Sequence, residues 1–386
     1  MSLSNPVIAL VAGEASGDQL GAALVQQLRL RYPHARFVGI GGRRMQEEGV
    51  EAWWDARELA VMGLFEVLSH FPRLLKLRRE LRRRLLDLRP DVFIGIDAPD
   101  FNLGLEIQLR RMGIRTVHYV SPTVWAWREK RVRKIARAAD LVLCLFPFEP
   151  AFFEGHGVAA TYVGHPLADQ IEADSDPAAA RGLIGLNPAA TTVALLPGSR
   201  VSEVSRLASP MIEAARLLRA QYPDLQFVTA MANEEVDAIF GQAMRDLSED
   251  QVTRILGRPR QVIAAADAVL CASGTATLET MLVNRPLVMV YRIAPSTFWL
   301  LKNLKIIRPQ LFSLPNILAG SALIPELVQD EADSERMAAE IRRWLENPGQ
   351  RDELRQRFDE LRAQLRCGAS ERAAAAVAGL LRDGTG

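Results

Sequence analysis

Cysteine is scarce: Cys144, Cys271 and Cys367 are the only three in 386 residues. Odd in number and far apart, they exclude a disulfide framework and point to a reducing compartment, with the cytoplasm as the default. Long apolar runs are missing too, and none approaches the ~18 residues that a bilayer-spanning helix needs. No basic leader precedes the first apolar run, so no signal peptide is expected. Net charge is nearly absent: 47 Lys and Arg face 46 Asp and Glu, leaving +1, so a nucleic-acid surface would have to be a local patch. Several catalytic signatures are also lacking. There is no GxSxG elbow, no HExxH and no GK pair, and "GIGGRR" at Gly39 lacks the third glycine of a dinucleotide fingerprint.

The chain does have length and a regular alternation. With 49% hydrophobic and 24% charged residues it has an ordinary globular composition, and 386 residues suffice for two domains. Short β-rich runs, "RFVGI", "DVFIGID", "RTVHYV" and "DLVLCLF", alternate with helical stretches, which predicts a parallel sheet covered on both faces. A polar stretch near Asp169 interrupts the pattern, and "TTVALLPGSR", "LQFVTAM", "VTRIL", "DAVLCASG" and "RPLVMVYR" restart it. The halves match, since "VIALVAGEASGD" and "TVALLPGSRVSE" are each strand, glycine turn and helix. The reading is α/β: two Rossmann-like, doubly wound parallel-sheet domains, residues 1–168 and 169–386, facing a central cleft. Within the intervening stretch, "DSD" at Asp174–Asp176 has metal-site spacing but does not end a strand, and a solvated acidic turn is the preferred reading.

In the second half a strand delivers the chain to Ser273, Gly274 and Thr275, small residues that let the amides of a helix N-terminus approach a diphosphate. Glu279, one turn further on, is suited to ribose hydroxyls. Helix capping alone would also explain these residues. "LLPGSR" favours the ligand reading, because Gly198, Ser199 and Arg200 end the first strand of the same domain and bring a guanidinium to the same sheet edge. The corresponding loop of the first half carries Glu14 and Asp18, the wrong charge for a phosphate. Gly13 and Gly17 allow it to fold tightly, and Ser16 with Gln19 has capping-box spacing. Either acid orders a sugar, or both merely favour the helix dipole.

The strings "AGEASGDQLGA", "AVMGLFEVL", "GIDAPDFN", "HYVSPTVWAWREKRVRKI", "LLPGSR", "ASGTATLE" and "SLPNILAG", in this order, resemble the lipid-A-disaccharide synthase family over nearly the whole chain. The resemblance implies a GT-B glycosyltransferase that uses neither metal nor cofactor. It implies UDP-2,3-diacylglucosamine as donor, 2,3-diacylglucosamine 1-phosphate as acceptor, and a β(1→6) disaccharide phosphate plus UDP as products. It further implies work at the cytoplasmic face of a Gram-negative inner membrane, a homodimer, and C-terminal helices that either pack back on the first domain or are exchanged in that dimer. Asn316 of "SLPNILAG" joins the UDP-binding set on this basis. Other readings remain: another GT-B UDP-sugar enzyme such as an epimerase, or a non-catalytic nucleic-acid-binding module.

Inversion at an α-linked donor requires a base for the acceptor hydroxyl. "GIDAPDF" puts Asp97 at a strand end, Asp100 is the competing candidate, and capping near Asn102 is the bland alternative. Arg200 and the Thr275 helix N-terminus would stabilise departing UDP. Basic residues from Arg128 to Arg137, Arg131 among them, beside Trp125 and Trp127, would hold the acceptor phosphate or form a solvated face. His118 and His165 read as cleft or core residues. Membrane docking is expected through Val61 to Arg89, where Met62, Leu64, Phe65 and Leu68 form an apolar patch ahead of a leucine stripe, Leu74, Leu77, Leu81, Leu85 and Leu88, on a basic helix. The alternative is that the stripe packs on the sheet and the arginines are its wet face.

Overall fold

The computed structural model describes residues 5–59, 64–122, 131–173, 175–247, 251–294 and 311–382, with the backbone alone over 64–71 and at 382. The chain forms two compact units, Met1–Asp169 with Leu365–Gly386, and Gln170–Gln364. The first contains a seven-stranded sheet in the order β3-β2-β1-β4-β5-β6-β7: β1 Val7–Ala12, β2 Arg36–Gly41, β3 Glu51–Asp55, β4 Val92–Ile96, β5 Arg115–Tyr119, β6 Leu141–Cys144 and β7 Ala160–Tyr162. The second has six strands in the order β10-β9-β8-β11-β12-β13: β8 Thr192–Leu196, β9 Gln226–Met231, β10 Val252–Leu256, β11 Ala268–Ala272, β12 Leu287–Tyr291 and β13 Glu326–Val328. All strand pairs are parallel.

Central strands are buried on both faces, which is why they read as unbroken apolar runs: β4, β8 and β11 are buried at every position. Three edge strands, β3, β7 and β13, are short and partly exposed and carry no such run.

Leu77, Leu81 and Leu85 of the Leu64–Leu88 helix pack into the first core beside Ala9, Val38 and Phe93. The leucine stripe is therefore a core face, and the wet-face reading holds for the exposed Arg79, Arg82, Arg83 and Arg89. Arg82 donates to Gln108 at 2.8 Å, and Arg84 lies over the Trp54 ring at 4.7 Å. The last helix, Ala369–Arg382, packs on the Ala15–Arg31 helix. Asp169 caps it, accepting from the N–H groups of Gly368 at 3.0 Å and Ala369 at 2.6 Å.

Candidate functional site

In the second unit the strand order reverses between β8 and β11, so their following loops diverge and open a crevice at the carboxyl edge of the sheet. The crevice is a cavity of about 300 Å³ lined by Gly198, Ser199, Arg200, Ser273, Gly274, Thr275 and Glu279, with Met231 and Gly257 at its side. Gly274 has φ 137° with open space around it. Glycine is required there by conformation, not crowding. It is the N-cap of the Thr275–Leu282 helix, whose first-turn N–H groups provide the positive end of the dipole.

Arg200 is the N-cap of the Val201–Gln221 helix, and Glu203 closes a capping box on it. Glu203 accepts from the Ser199 and Arg200 N–H groups at 3.1 and 3.3 Å and from the Arg200 guanidinium at 3.0 Å. Sequence reading passed over Glu203, although its position three residues after Arg200 is the spacing that signals such a box. Glu279, with its side chain largely buried, pairs with Arg260 at 3.3 Å, a second cation that the sequence did not single out.

Asn316 lies elsewhere. Its amide nitrogen donates to the Ile324 carbonyl at 3.0 Å and to Glu326 at 2.8 Å, and its oxygen accepts from the Leu323 and Ile324 N–H groups, both at 2.8 Å. Both donors and both lone pairs are thus satisfied within the protein. Asn316 thereby anchors the Leu314–Ala319 helix, which packs on the Thr275–Leu282 helix, and this structural role stands beside the expected contact with UDP. Asn316→Ala should lower unfolding stability by about 2 kcal/mol, since Glu326 and two backbone amides lose a buried partner. The urea midpoint measures this, and an unchanged midpoint with lost UDP affinity would return Asn316 to the ligand.

The first unit repeats the geometry, with reversal between β1 and β4. A side chain at Gly13 would stand 3.1 Å from Ala98 Cβ, so the two loops are in contact at this edge. Asp97 and Ala98 are consecutive non-glycine residues in the left-handed region, φ 51° and 43°, and Val120 at the end of β5 has φ 77°. Strain of this kind gathers at functional sites. Asp97 is half-buried and Asp100 exposed. Arg131 lies 3.5 Å from Asp100, whereas the Asp97 carboxylate has no partner among the described residues.

Helix Ala15–Arg31 starts earlier than the capping-box reading requires. Glu14 is its N-cap without a side-chain hydrogen bond, and Ser16, inside the first turn, is exposed. A side chain at Gly17 would stand 3.4 Å from Ala12 Cβ. Asp18 turns away from the sheet edge: it is buried and accepts from the N–H groups of Gly42, Arg44 and Met45 at 2.8, 3.0 and 3.1 Å. It caps the Arg43–Glu47 helix, so the expected sugar contact is corrected for Asp18, while Glu14 stays exposed at the edge. Met62, Arg128 and Asp174 lie outside the described residues, as do the side chains of Leu64, Phe65 and Leu68. Asp176 caps the Pro177–Leu183 helix, accepting from Ala178 N–H at 2.9 Å, a structural role for this part of "DSD".

Burial lowers His165 to about 4 and pushes the Cys271 thiol up to about 12, so the former is a neutral core residue and the latter an inert thiol. His118 is also buried and is paired with Glu106.

Two parallel-sheet α/β units spanning the chain define the class, the GT-B fold. The chain is similar over its length to the S. aureus MnaA–UDP co-structure (TM-score 0.66, 14% identity, 100% of this chain and 98% of that one). It is similar also to CalG4, the calicheamicin glycosyltransferase (TM-score 0.62, 14% identity, all of both chains). At such identity the likeness shows the fold alone. The model of the family described as lipid-A-disaccharide synthetase matches residues 8–378. Proteins named lipid-A-disaccharide synthase from Xanthomonas axonopodis pv. citri (53% identical, 97% of this chain and 86% of that one) and Xylella fastidiosa (49%, 98% of each) are similar throughout. The chain belongs to the lipid-A-disaccharide synthetase family.

Proposed function

We propose that the chain joins UDP-2,3-diacylglucosamine to 2,3-diacylglucosamine 1-phosphate, forming the β(1→6) disaccharide 1-phosphate and releasing UDP. The observation that carries this reading is the family match over residues 8–378, and the crevice supports it. Arg200 and the Thr275 helix N-terminus supply positive charge where a diphosphate would lie, and Glu279, paired with Arg260, lines the same crevice where it would accept from ribose hydroxyls. In the first unit the acceptor hydroxyl gives its proton to Asp97 as its oxygen bonds to the donor's anomeric carbon. The bond from that carbon to the diphosphate breaks, and UDP leaves with the electron pair. Asp97 is preferred to Asp100 as base because Arg131 faces the latter. Epimerases among the fold neighbours are only 10 to 12% identical and do not favour the epimerase reading. UDP release that requires donor and acceptor together is the expected result; equal release without acceptor would count against it.

The substrates' acyl chains call for access to a bilayer, and among the described residues no helix is long and apolar enough to cross one. Docking through Met62, Leu64, Phe65 and Leu68, with the exposed arginines further along the Leu64–Leu88 helix facing anionic lipid, meets that need. Replacing those four by Ser should release the protein from anionic vesicles while UDP affinity is unchanged. Full sedimentation of the folded variant with vesicles would shift docking elsewhere, first to Trp125–Arg137.

A further inference from the structure

Beneath the Asp97 turn the fold buries a cluster of polar side chains. Asn102, Glu106 and His118 are each 0% exposed. The first two lie one turn apart on the Pro99–Arg111 helix, above Gly95 of β4, and His118 is the register partner of Gly95 on β5. A methyl group at Gly95 would overlap Glu106 Oε1 and stand 2.9 Å from Asn102 Cβ. The glycine is therefore what allows these side chains to lie directly on the strand. Glu106 Oε1 and His118 Nδ1 are 2.7 Å apart.

Asn102 is the member that reaches the site. Its amide nitrogen donates to the Asp97 carbonyl at 2.8 Å, while the Asp97 N–H donates to the Tyr119 carbonyl at 2.8 Å. The peptide groups on both sides of Asp97 are thus anchored, on a residue whose left-handed φ is followed by a second one at Ala98. Asn102 Oδ1, Glu106 Oε2 and His118 Nε2 meanwhile have no partner among the described residues. Such groups are costly to bury, and an apolar cluster of the same shape would be more stable. Stability therefore does not account for the cluster, whereas holding a strained turn at the sheet edge does.

We propose that Asn102 is a positioning residue for the transfer: backed by the Glu106–His118 pair, its amide holds the Asp97–Ala98 turn and so aims the Asp97 carboxylate. The inference rests on Asp97 being the base. Misplacing a reacting group by about 1 Å can cost ~10²-fold, so Asn102→Ala should lower kcat by ~30- to 100-fold, with UDP affinity within about twofold of the parent. In an Asp97→Asn background the same change should cost less than about threefold, because there is no base left to aim. His118→Leu removes the Glu106 partner while sparing Asn102 and should lower kcat ~10-fold, whereas His118→Gln, whose amide can donate to Glu106, should stay within about threefold of the parent.

The test measures kcat and UDP affinity on the full chain for all these variants. Unchanged kcat in Asn102→Ala, or multiplicative losses in the double variant, overturns the positioning role while leaving Asp97 as base. If Asn102→Ala does not fold, unchanged kcat in His118→Leu overturns it in the same way. Near-normal turnover in Asp97→Asn overturns instead the reading on which the proposal rests.

Discussion

Asp97→Asn should lower turnover by roughly 10²–10⁴-fold, the range of general-base contributions, and leave UDP affinity within about twofold. The substitution keeps size and shape and removes only the proton acceptor. Asparagine tolerates the left-handed region, so the turn at φ 51° should persist and the loss should belong to chemistry. Affinity should be spared because the crevice proposed for UDP is built from residues of the other unit, Gly198 to Glu279. UDP release under saturating substrates, with calorimetric titration of UDP, separates the two effects. Near-normal turnover would move the role to Asp100 despite its Arg131 neighbour.

Arg200→Ala should lower kcat/KM by roughly 10²–10³-fold, about 3–4 kcal/mol, the effect of removing one pre-aimed donor to a developing anion. Its side chain is 79% exposed, yet Glu203 holds the guanidinium at 3.0 Å at the mouth of the crevice, so it would meet a diphosphate already oriented. UDP affinity should fall as well, and Arg200→Lys should restore only part of both losses, since an ammonium lacks the planar fork. Steady-state rates with a UDP titration check this. Unchanged UDP affinity would remove Arg200 from the phosphate site.

The central strands were legible because burial on both faces leaves a continuous apolar run, as in "VFIGI" and "AVLCA". β3, β7 and β13 were not, since an edge strand of three to five partly exposed residues has no periodicity to read. The crevice residues were visible as glycine and small polar residues at strand ends, a pattern with local cause. The structural partners of Asp18 and Asn316 were not legible because a sequence shows a polar side chain near a helix start without showing what it faces. Asp18 faces Gly42, and Asn316 faces Ile324 and Glu326. Asn102 was not singled out, only named as the place near which Asp97 or Asp100 would cap a helix, because its contact with the Asp97 carbonyl depends on Gly95 leaving room above the strand.

The most direct measurement is the structure of the product formed from α-linked UDP-2,3-diacylglucosamine and 2,3-diacylglucosamine 1-phosphate, by mass spectrometry and anomeric proton coupling. A disaccharide 1-phosphate with a β(1→6) linkage, formed one for one with UDP, is the predicted result. An α linkage, or recovery of an epimerised or hydrolysed donor with the acceptor intact, would contradict inverting transfer to the acceptor hydroxyl.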